Sequence, residues 1–378
     1  MPNIRRGMMG AAGAVGGGGG PSAVYSWGRN YYGTLGQGDT VDRSSPTQIG
    51  TGNDWAAIQQ GYGTSAGIKT DGTLWCWGVN NQYPALGDGT AINRSSPVQI
   101  GSLTDWNPAH GKFKIAEHHL CNIKTDGTLW VAGRNDKGQL GDGTTINRSS
   151  PVQIGTDTNW SQIEIHQQAA AAIRTDGTLW TWGRNYKGFR GINLGDTTAA
   201  TISSPVQVGS LTDWRKLAFN KNNPHVIKSD GTLWNWGYAN WGSLGRGDSI
   251  SYSSPVQLGS LTDWAETSMY FYNTVAAKTN DQLWTWGGNG ALCNGAANSS
   301  PVQISTDTDW QVDKLTCGRN YIVIPKDNHT MWYWGLNDRG QLGIDSVVAT
   351  SSPAQLGSET DWDAFACGEN STMGLKNT

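Results

Sequence analysis

The chain is poor in the features that tie a protein to a membrane, a nucleic acid or a disulfide framework. Its five cysteines among 378 residues are odd in number and show no paired spacing. That sets aside a disulfide scaffold, and Cys317 and Cys367, in "TCGRN" and "ACGEN", are expected as buried free thiols. Net charge is −3 and no basic run exceeds the pair Arg5–Arg6, so nucleic-acid binding through a basic face is not expected. No apolar stretch approaches bilayer-spanning length, so no membrane insertion is expected. Residues 1–21 start basic but lack the Leu-rich or Ile-rich core of a secretion signal and end in a run of glycines, so they are expected to be a flexible or partner-ordered arm ahead of one domain at 22–378.

Glycine and tryptophan are plentiful, at 52 and 20 residues, and they recur periodically. "TDGTLWTWGRN", from Thr175, returns as "TDGTLWCWGVN" from Thr70, "TDGTLWVAGRN" from Thr125 and "SDGTLWNWGYA" from Ser229, with weaker copies from Thr279 and Lys326. Ser-Ser-Pro recurs at Pro46, Pro97, Pro151, Pro205, Pro255, Pro301 and Pro353, and Asp-Trp or Asn-Trp at Trp55, Trp106, Trp160, Trp214, Trp264, Trp310 and Trp362. The period is about 50 residues, the range of propellers and solenoids. "SAVYSWGRN" from Ser22 matches the second half of the unit and "TMGLKNT" from Thr372 the first half. One repeat is therefore split between the two ends of the chain.

Each unit reads as four short strands. "LWTW" alternates as a half-buried strand does, and the Asp-Gly before it is a hairpin turn joining it to "AAAIR". "PVQI" supplies the next strand, its proline suited to the first residue of an edge strand, and "WSQIEI" opens the following unit. Seven such units predict an all-β, seven-bladed β-propeller of four-stranded antiparallel blades, its ring closed by the N- and C-terminal strands in one blade. The repeated tryptophans are then core, packed between blades. Only Trp241 stands off the pattern.

The unit from Asp126 to Thr144, "DGTLWVAGRNDKGQLGDGT", in which Ala132 replaces the second tryptophan, resembles the regulator of chromosome condensation repeat, and the resemblance covers residues 22–378. It implies the seven-bladed fold. The family includes nucleotide exchange factors, ubiquitin-ligase modules and inhibitor-like secreted propellers, so it does not by itself select an activity. The leader "MPNIRRGMMGAAGA" is similar to the beginnings of some bacteriophage structural proteins.

In a four-stranded meander the turns after the first and third strands share one face, and the other two turns share the opposite face. Here the opposite face carries "TDGT" and "GSLTDW" nearly unchanged, whereas the first varies blade by blade. Its inner turns bring Tyr62, His118, His119, His166, Asn222, Tyr270, Tyr272, Arg319 and Tyr321, and its outer turns bring Tyr31, Tyr32, Tyr83, Tyr186, Tyr238 and Trp241. Aromatic tips with hydrogen-bonding neighbours suit recognition of a protein or a glycan, and these residues are the candidate binding set. Tyr238, Trp241 and Tyr270–Tyr272 are expected to form one aromatic cluster. Loop drift without constraint is the competing explanation.

Signs of chemistry are weak. "GTSAG" at Gly63–Gly67 matches a serine-hydrolase pattern but sits in a hairpin rather than a strand–turn–helix. His118, His119 and His166 occupy corresponding turns without metal-ligand spacing, and "GRGDS" at Gly245 repeats "GQGDT" of the first unit. No catalytic residue, metal or cofactor is assigned. The expected function is a non-enzymatic binding or structural propeller, on a phage virion with the arm as its attachment, and the alternative is a regulatory propeller, an exchange factor or inhibitor, acting on one protein partner.

Overall fold

The computed structural model describes residues 22–185, 188, 191, 201–219, 223–288 and 298–377. The expected arm, Tyr186 and Asn222 lie outside them. Within the described chain, strands follow one another as antiparallel meanders. Trp160–His166, Ala169–Arg174, Leu179–Arg184 and Thr201–Gln207 form one blade, hydrogen-bonded in that order. Six further blades repeat it, and the innermost strands touch their neighbours all the way round the ring.

The split blade is closed as the two half-repeats require. Ser22–Gly28 pairs along its whole length with Ser371–Asn377, from Ser22 opposite Asn377 to Gly28 opposite Ser371. Trp362–Cys367 flanks it on the inside and Arg43–Gln48 on the outside. A single pairing, Ser22 with Trp55, links this blade to the next. The outermost strands begin earlier than "PVQI" alone predicts: in one blade Arg148 pairs with Gly133 before the register breaks and resumes at Val152. Ser-Ser-Pro is thus a bulge, tolerated on the outermost strand because proline has no N–H for the ladder.

The core lies between blades. The second tryptophan is buried in the six motifs that have one, and in four of them its indole N–H is seen donating to a backbone carbonyl of the preceding blade: Trp77 to Thr34 at 2.8 Å, Trp182 to Gln139 at 2.9 Å, Trp286 to Ser243 at 3.2 Å and Trp27 to Gln341 at 2.9 Å. Gly36, Gly141, Gly245 and Gly343, each preceded by a leucine, lie against these four indoles. A Cβ at Gly141 would stand 2.7 Å from Trp182 Nε1, and one at Gly343 would stand 2.8 Å from Trp27 Nε1. No side chain fits there, which explains why glycine recurs.

The repetitive face is locked in a similar way. Asp71 accepts hydrogen bonds from the Thr73 amide and hydroxyl, and Thr73 Oγ1 accepts from Trp75 Nε1 at 2.9 Å. The relay repeats at Asp126, Asp176 and Asp230, and Asn328 serves in the same role. A Cβ at Gly72 would lie 2.0 Å from the carbonyl of Thr104 in "GSLTDW", so the two turns of this face pack directly on each other. A basic residue at the corresponding place in every blade, two positions before the Asp-Gly turn where that turn is present, completes the arrangement. Lys69, Lys124, Arg174, Lys228, Lys278, Lys326 and Lys376 each lie over two aromatic rings and pair with an aspartate of the neighbouring turn. Sequence reading passed over this residue, although its fixed distance from the turn was visible.

One blade breaks the relay. "TNDQLW" puts Gln282 where threonine stands elsewhere, Trp284 Nε1 is buried without a hydrogen-bond partner, and Asp281 holds the glycine position at φ 64°. Replacing Asn280→Asp, Asp281→Gly and Gln282→Thr together is expected to raise stability by about 1–2 kcal/mol, read as a higher denaturant midpoint at unchanged slope. Deleting residues 372–378 removes the strand that joins the chain ends and exposes edges on both sides. It is expected to lower the melting temperature by at least about 10 °C or to cause aggregation, checked by calorimetry and light scattering.

Candidate functional site

The loop face is built on a constant frame with variable tips. Asn135 Oδ1 accepts the Leu140 amide at 3.0 Å, while its Nδ2 donates to Asp142 at 2.8 Å and to the Thr144 carbonyl at 3.1 Å. Asn30, Asn80 and Asn337 hold their loops in the same way. The outer loops are therefore less free than their sequence variety suggests, and only a few residues at each tip are open to change.

The structure distributes the candidate binding residues widely. Tyr31 and Trp241 are exposed, at 62% and 53%, and Arg319 is exposed as well. Tyr31 packs edge-on against Tyr32 at 4.5 Å, and Tyr83 sits between His118 at 4.8 Å and the Arg134 guanidinium at 4.2 Å. Tyr270, Phe271 and Tyr272 form a run of ring contacts that reaches His166. Among the described residues Trp241 makes no ring contact with that run. Its 3-10 turn, Asn240–Gly242, instead lies on the outer strands of the next blade, and Tyr238, half-buried, lies in the same loop. Tyr321 and His119 are both 0% exposed. Tyr321 donates its hydroxyl to the carbonyls of Ser371 at 2.6 Å and Gly368 at 3.2 Å, which makes it a tie between blades rather than a surface contact.

The inner turns surround the mouth of an axial cavity of about 130 Å³, lined at the top by Tyr62, Glu117, His166, Tyr270 and Phe271. Burial raises the Tyr62 hydroxyl above its ordinary pKa, and the nearby carboxylates of Glu369 and Glu117 add to the effect. Tyr270 is pushed up further for the same reasons. Burial works to raise Glu117, but the hydrogen bond and charge of His118, at 3.2 Å, together with the Gln167 hydrogen bond and the charge of His166, outweigh it, and the carboxyl lies below its usual value. Arg319 pairs with Glu369 at 2.6 Å. Below the mouth, blades are joined by ion pairs across the axis wall: Lys114–Glu164 at 2.9 Å, Lys216–Glu266 at 2.6 Å and Lys314–Asp363 at 2.7 Å. Sequence reading missed these groups, and charged residues inside otherwise apolar opening strands such as "WSQIEI" were the available signal.

The weak motifs fall into structural places. Ser65 of "GTSAG" lies in the strand Thr64–Lys69 and donates to the Thr34 carbonyl at 2.8 Å. Arg246 of "GRGDS" is bound to its own blade, through Asn235 Oδ1 at 2.8 Å and the Gln257 carbonyl at 2.8 Å. Cys76, Cys121, Cys317 and Cys367 are buried free thiols, and Cys293 lies outside the described residues. Among the described residues no group of three or more His, Cys, Asp or Glu is placed to hold a metal ion.

These features define the class: a seven-bladed propeller with one locked face and one face of adjustable loops around an axial mouth. The sequence profile described as regulator of chromosome condensation (RCC1) repeat matches residues 22–68, 71–109, 126–173, 230–267 and 328–375. The chain belongs to this family. It is 28% identical over 348 residues to the ultraviolet-B receptor UVR8 of Arabidopsis thaliana, spanning 87% of this chain and 76% of that protein. It is 30% identical over 137 residues to the E3 ubiquitin-protein ligase HERC2 of Homo sapiens, a stretch that is 35% of this chain and 3% of that protein. Among solved structures, human WBSCR16 superposes with a TM-score of 0.80 at 16% identity, covering 94% of this chain and 99% of that one. Prp20p of Saccharomyces cerevisiae gives 0.79 at 16% identity, covering 94% and 91%. These likenesses show the propeller fold.

Burial at the axis and in the core sets a pH limit. His110, His119 and His225 are each held at a pKa of about 3 by burial, whereas an unfolded histidine titrates near 6.5. The unfolded chain takes up these protons first, so stability is full above about pH 6.5 and is lost as the pH falls toward 3, by up to about 1.4 kcal/mol per pH unit for each histidine. The melting temperature is expected to drop between pH 7 and pH 5, and His119→Leu to narrow that drop, as calorimetry at the two pH values will read.

Proposed function

We propose that this protein is a non-catalytic regulatory propeller that holds one protein partner on its loop face. The observation that carries this reading is the physical inequality of the two faces. Turns of the repetitive face are packed on each other with no room at Gly72 for a Cβ, so their uniformity follows from packing. On the loop face asparagines fix four of the described outer loops, at Asn30, Asn80, Asn135 and Asn337, and Ala239 stands at that position in the loop of Trp241, while the tips change from blade to blade and expose aromatic and cationic groups such as Tyr31, Trp241 and Arg319. Rigid aromatic area on a fixed frame suits a protein surface, because little ordering entropy is lost on contact.

The similar proteins support a protein as the partner. Prp20p is described with binding properties to Gsp1p and histones, and yeast RCC1 (Prp20) with Kap60 bound; UVR8 is named a receptor. Nothing comparable supports a glycan ligand or attachment to a virion, so the regulatory alternative displaces the particle-surface reading that the leader suggested.

A photo-crosslinking residue at position 241 is expected to trap one protein partner in extracts of the native source, and the same residue at position 178, on the locked face, to trap none. Trp241→Ala with Tyr272→Ala is expected to weaken binding of that partner by about 2 kcal/mol or more while the melting temperature stays within a few degrees. Thr178→Ala is expected to do the reverse. It removes the acceptor of Trp180 Nε1, costs about 1 kcal/mol of stability and leaves binding unchanged.

A further inference from the structure

The axial mouth combines three things that packing of the ring does not require. Ring faces come first. Tyr62 stands on one side, and Tyr270 and Phe271, with centroids 5.4 Å apart, stand on the other. Phe271 holds a left-handed backbone at φ 52°, a costly conformation for a bulky residue, and this keeps its ring at the rim. A half-buried carboxylate comes second. Glu117 accepts hydrogen bonds only from the Gln167 amide and the His118 imidazole, and no described lysine or arginine is within ion-pair distance. Arg134, whose guanidinium feels the Glu117 charge, is committed to Asp136 through two contacts at 2.6 and 2.9 Å. By contrast Glu369, across the mouth, already has Arg319 at 2.6 Å.

The third feature is a set of buried acceptors without donors. Gln60 is 6% exposed and lines the cavity, its Nε2 bonded to Ser65 Oγ at 3.4 Å while its Oε1 has no partner. Thr267, also 6% exposed and on the cavity wall, has an unpartnered hydroxyl. A buried acceptor left open costs free energy until a donor reaches it. An anionic or purely apolar guest would leave Glu117 without a lysine or arginine partner and the Gln60 oxygen without a donor. A guest with several N–H donors, a positive charge and an aliphatic stem satisfies all three features together: the charge on the carboxylate, the donors on the open oxygens and the stem along the rings.

We propose that the axial mouth is a socket for a single alkylammonium or guanidinium group, supplied by a lysine or arginine side chain of the protein that docks on the loop face. Arg319 on Glu369, with its guanidinium 5.7 Å from the centre of the Phe271 ring, is a resident example of the same pairing at the neighbouring position. The inference rests on the loop-face reading for the source of the side chain, and its chemistry is testable without that partner.

The probes are acetyl-Gly-Lys-Gly-amide and acetyl-Gly-Arg-Gly-amide, with acetyl-Gly-norleucine-Gly-amide as the uncharged control and n-butylammonium as the free amine. Binding to the full chain is followed by ligand-observed NMR, with the tyrosine and phenylalanine ring protons as reporters. One or both cationic peptides are expected to bind at millimolar concentration, and the norleucine peptide not to bind. Glu117→Gln, which keeps shape and removes charge, is expected to weaken binding at least about tenfold, as is Phe271→Gly, which keeps the left-handed backbone and removes the ring. Unchanged melting curves confirm the fold of each variant. Butylammonium binding as tightly as the peptides assigns the socket to a free amine and overturns the side-chain source. Equal binding by the norleucine peptide, no binding by either cationic peptide, or binding indifferent to Glu117→Gln overturns the socket itself. In each of these cases partner crosslinking at position 241 still reports separately on the loop-face reading.

Discussion

Contact between the buried indole of one blade and the glycine and carbonyl of the blade before it is the constraint on which the rest of the structure depends. Each contact joins an apolar ring, a hydrogen bond across the blade boundary and a position where only glycine fits, as at Gly141 against Trp182. Blades cannot satisfy these groups alone, because donor and acceptor belong to different blades. Stability is therefore a property of neighbouring pairs, and the ring needs its last pair closed. Trp27 and Gln341 close it through the blade assembled from both chain ends. Where Ala132 replaces the tryptophan, a Cβ at Gly87 would meet the alanine at 3.2 Å, and aliphatic packing by Leu86 and Leu120 takes over the boundary.

Because the lock uses the backs of the outer loops, it divides the two faces by function. On the locked face the relay turns are spoken for, the turn at Asn280–Gln282 excepted: Asp or Asn to threonine, threonine to indole, cation between rings. On the other face several of these loops are anchored from beneath by asparagines such as Asn135, and exposed tips such as Tyr31 lie outside the indole–carbonyl lock. Substitutions there are cheap, which is what recognition by one scaffold of differing partners needs. The axial mouth differs from both, since its carboxylates and tyrosines are half-buried and shift one another's proton affinity.

Much of this was legible in the sequence because the chain carries its own comparison. Seven copies of one unit identify the blade, the split half-repeats identify the seam, and the uniform "TDGT" marks the locked face. What could not be read was anything that joins residues about 50 positions apart in different blades, such as Lys114 with Glu164 or Arg319 with Glu369. A repeat shows which position a residue holds but not which neighbour it meets across the boundary. Tyr321 shows the limit: its turn suggested a surface tip, yet one step along a strand reverses a side chain's direction, and its hydroxyl ties two blades together. The expected cluster of Trp241 with Tyr272 failed for a related reason, since outer loops lean onto the next blade's outer strands, away from the axis.

Hydrogen exchange of the indole protons tests the inter-blade lock most directly. Trp27, Trp77, Trp182 and Trp286 donate across blade boundaries, so their indole protons are expected to exchange as slowly as the most protected strand amides and at one common rate, because freeing any of them opens the ring. Trp75 and Trp180, half-buried and bonded only to the threonine of their own turn, are expected to exchange much faster. Fast exchange at the four buried indoles, or four rates graded from blade to blade, would mean that the blades hold themselves together without the lock and would contradict the account.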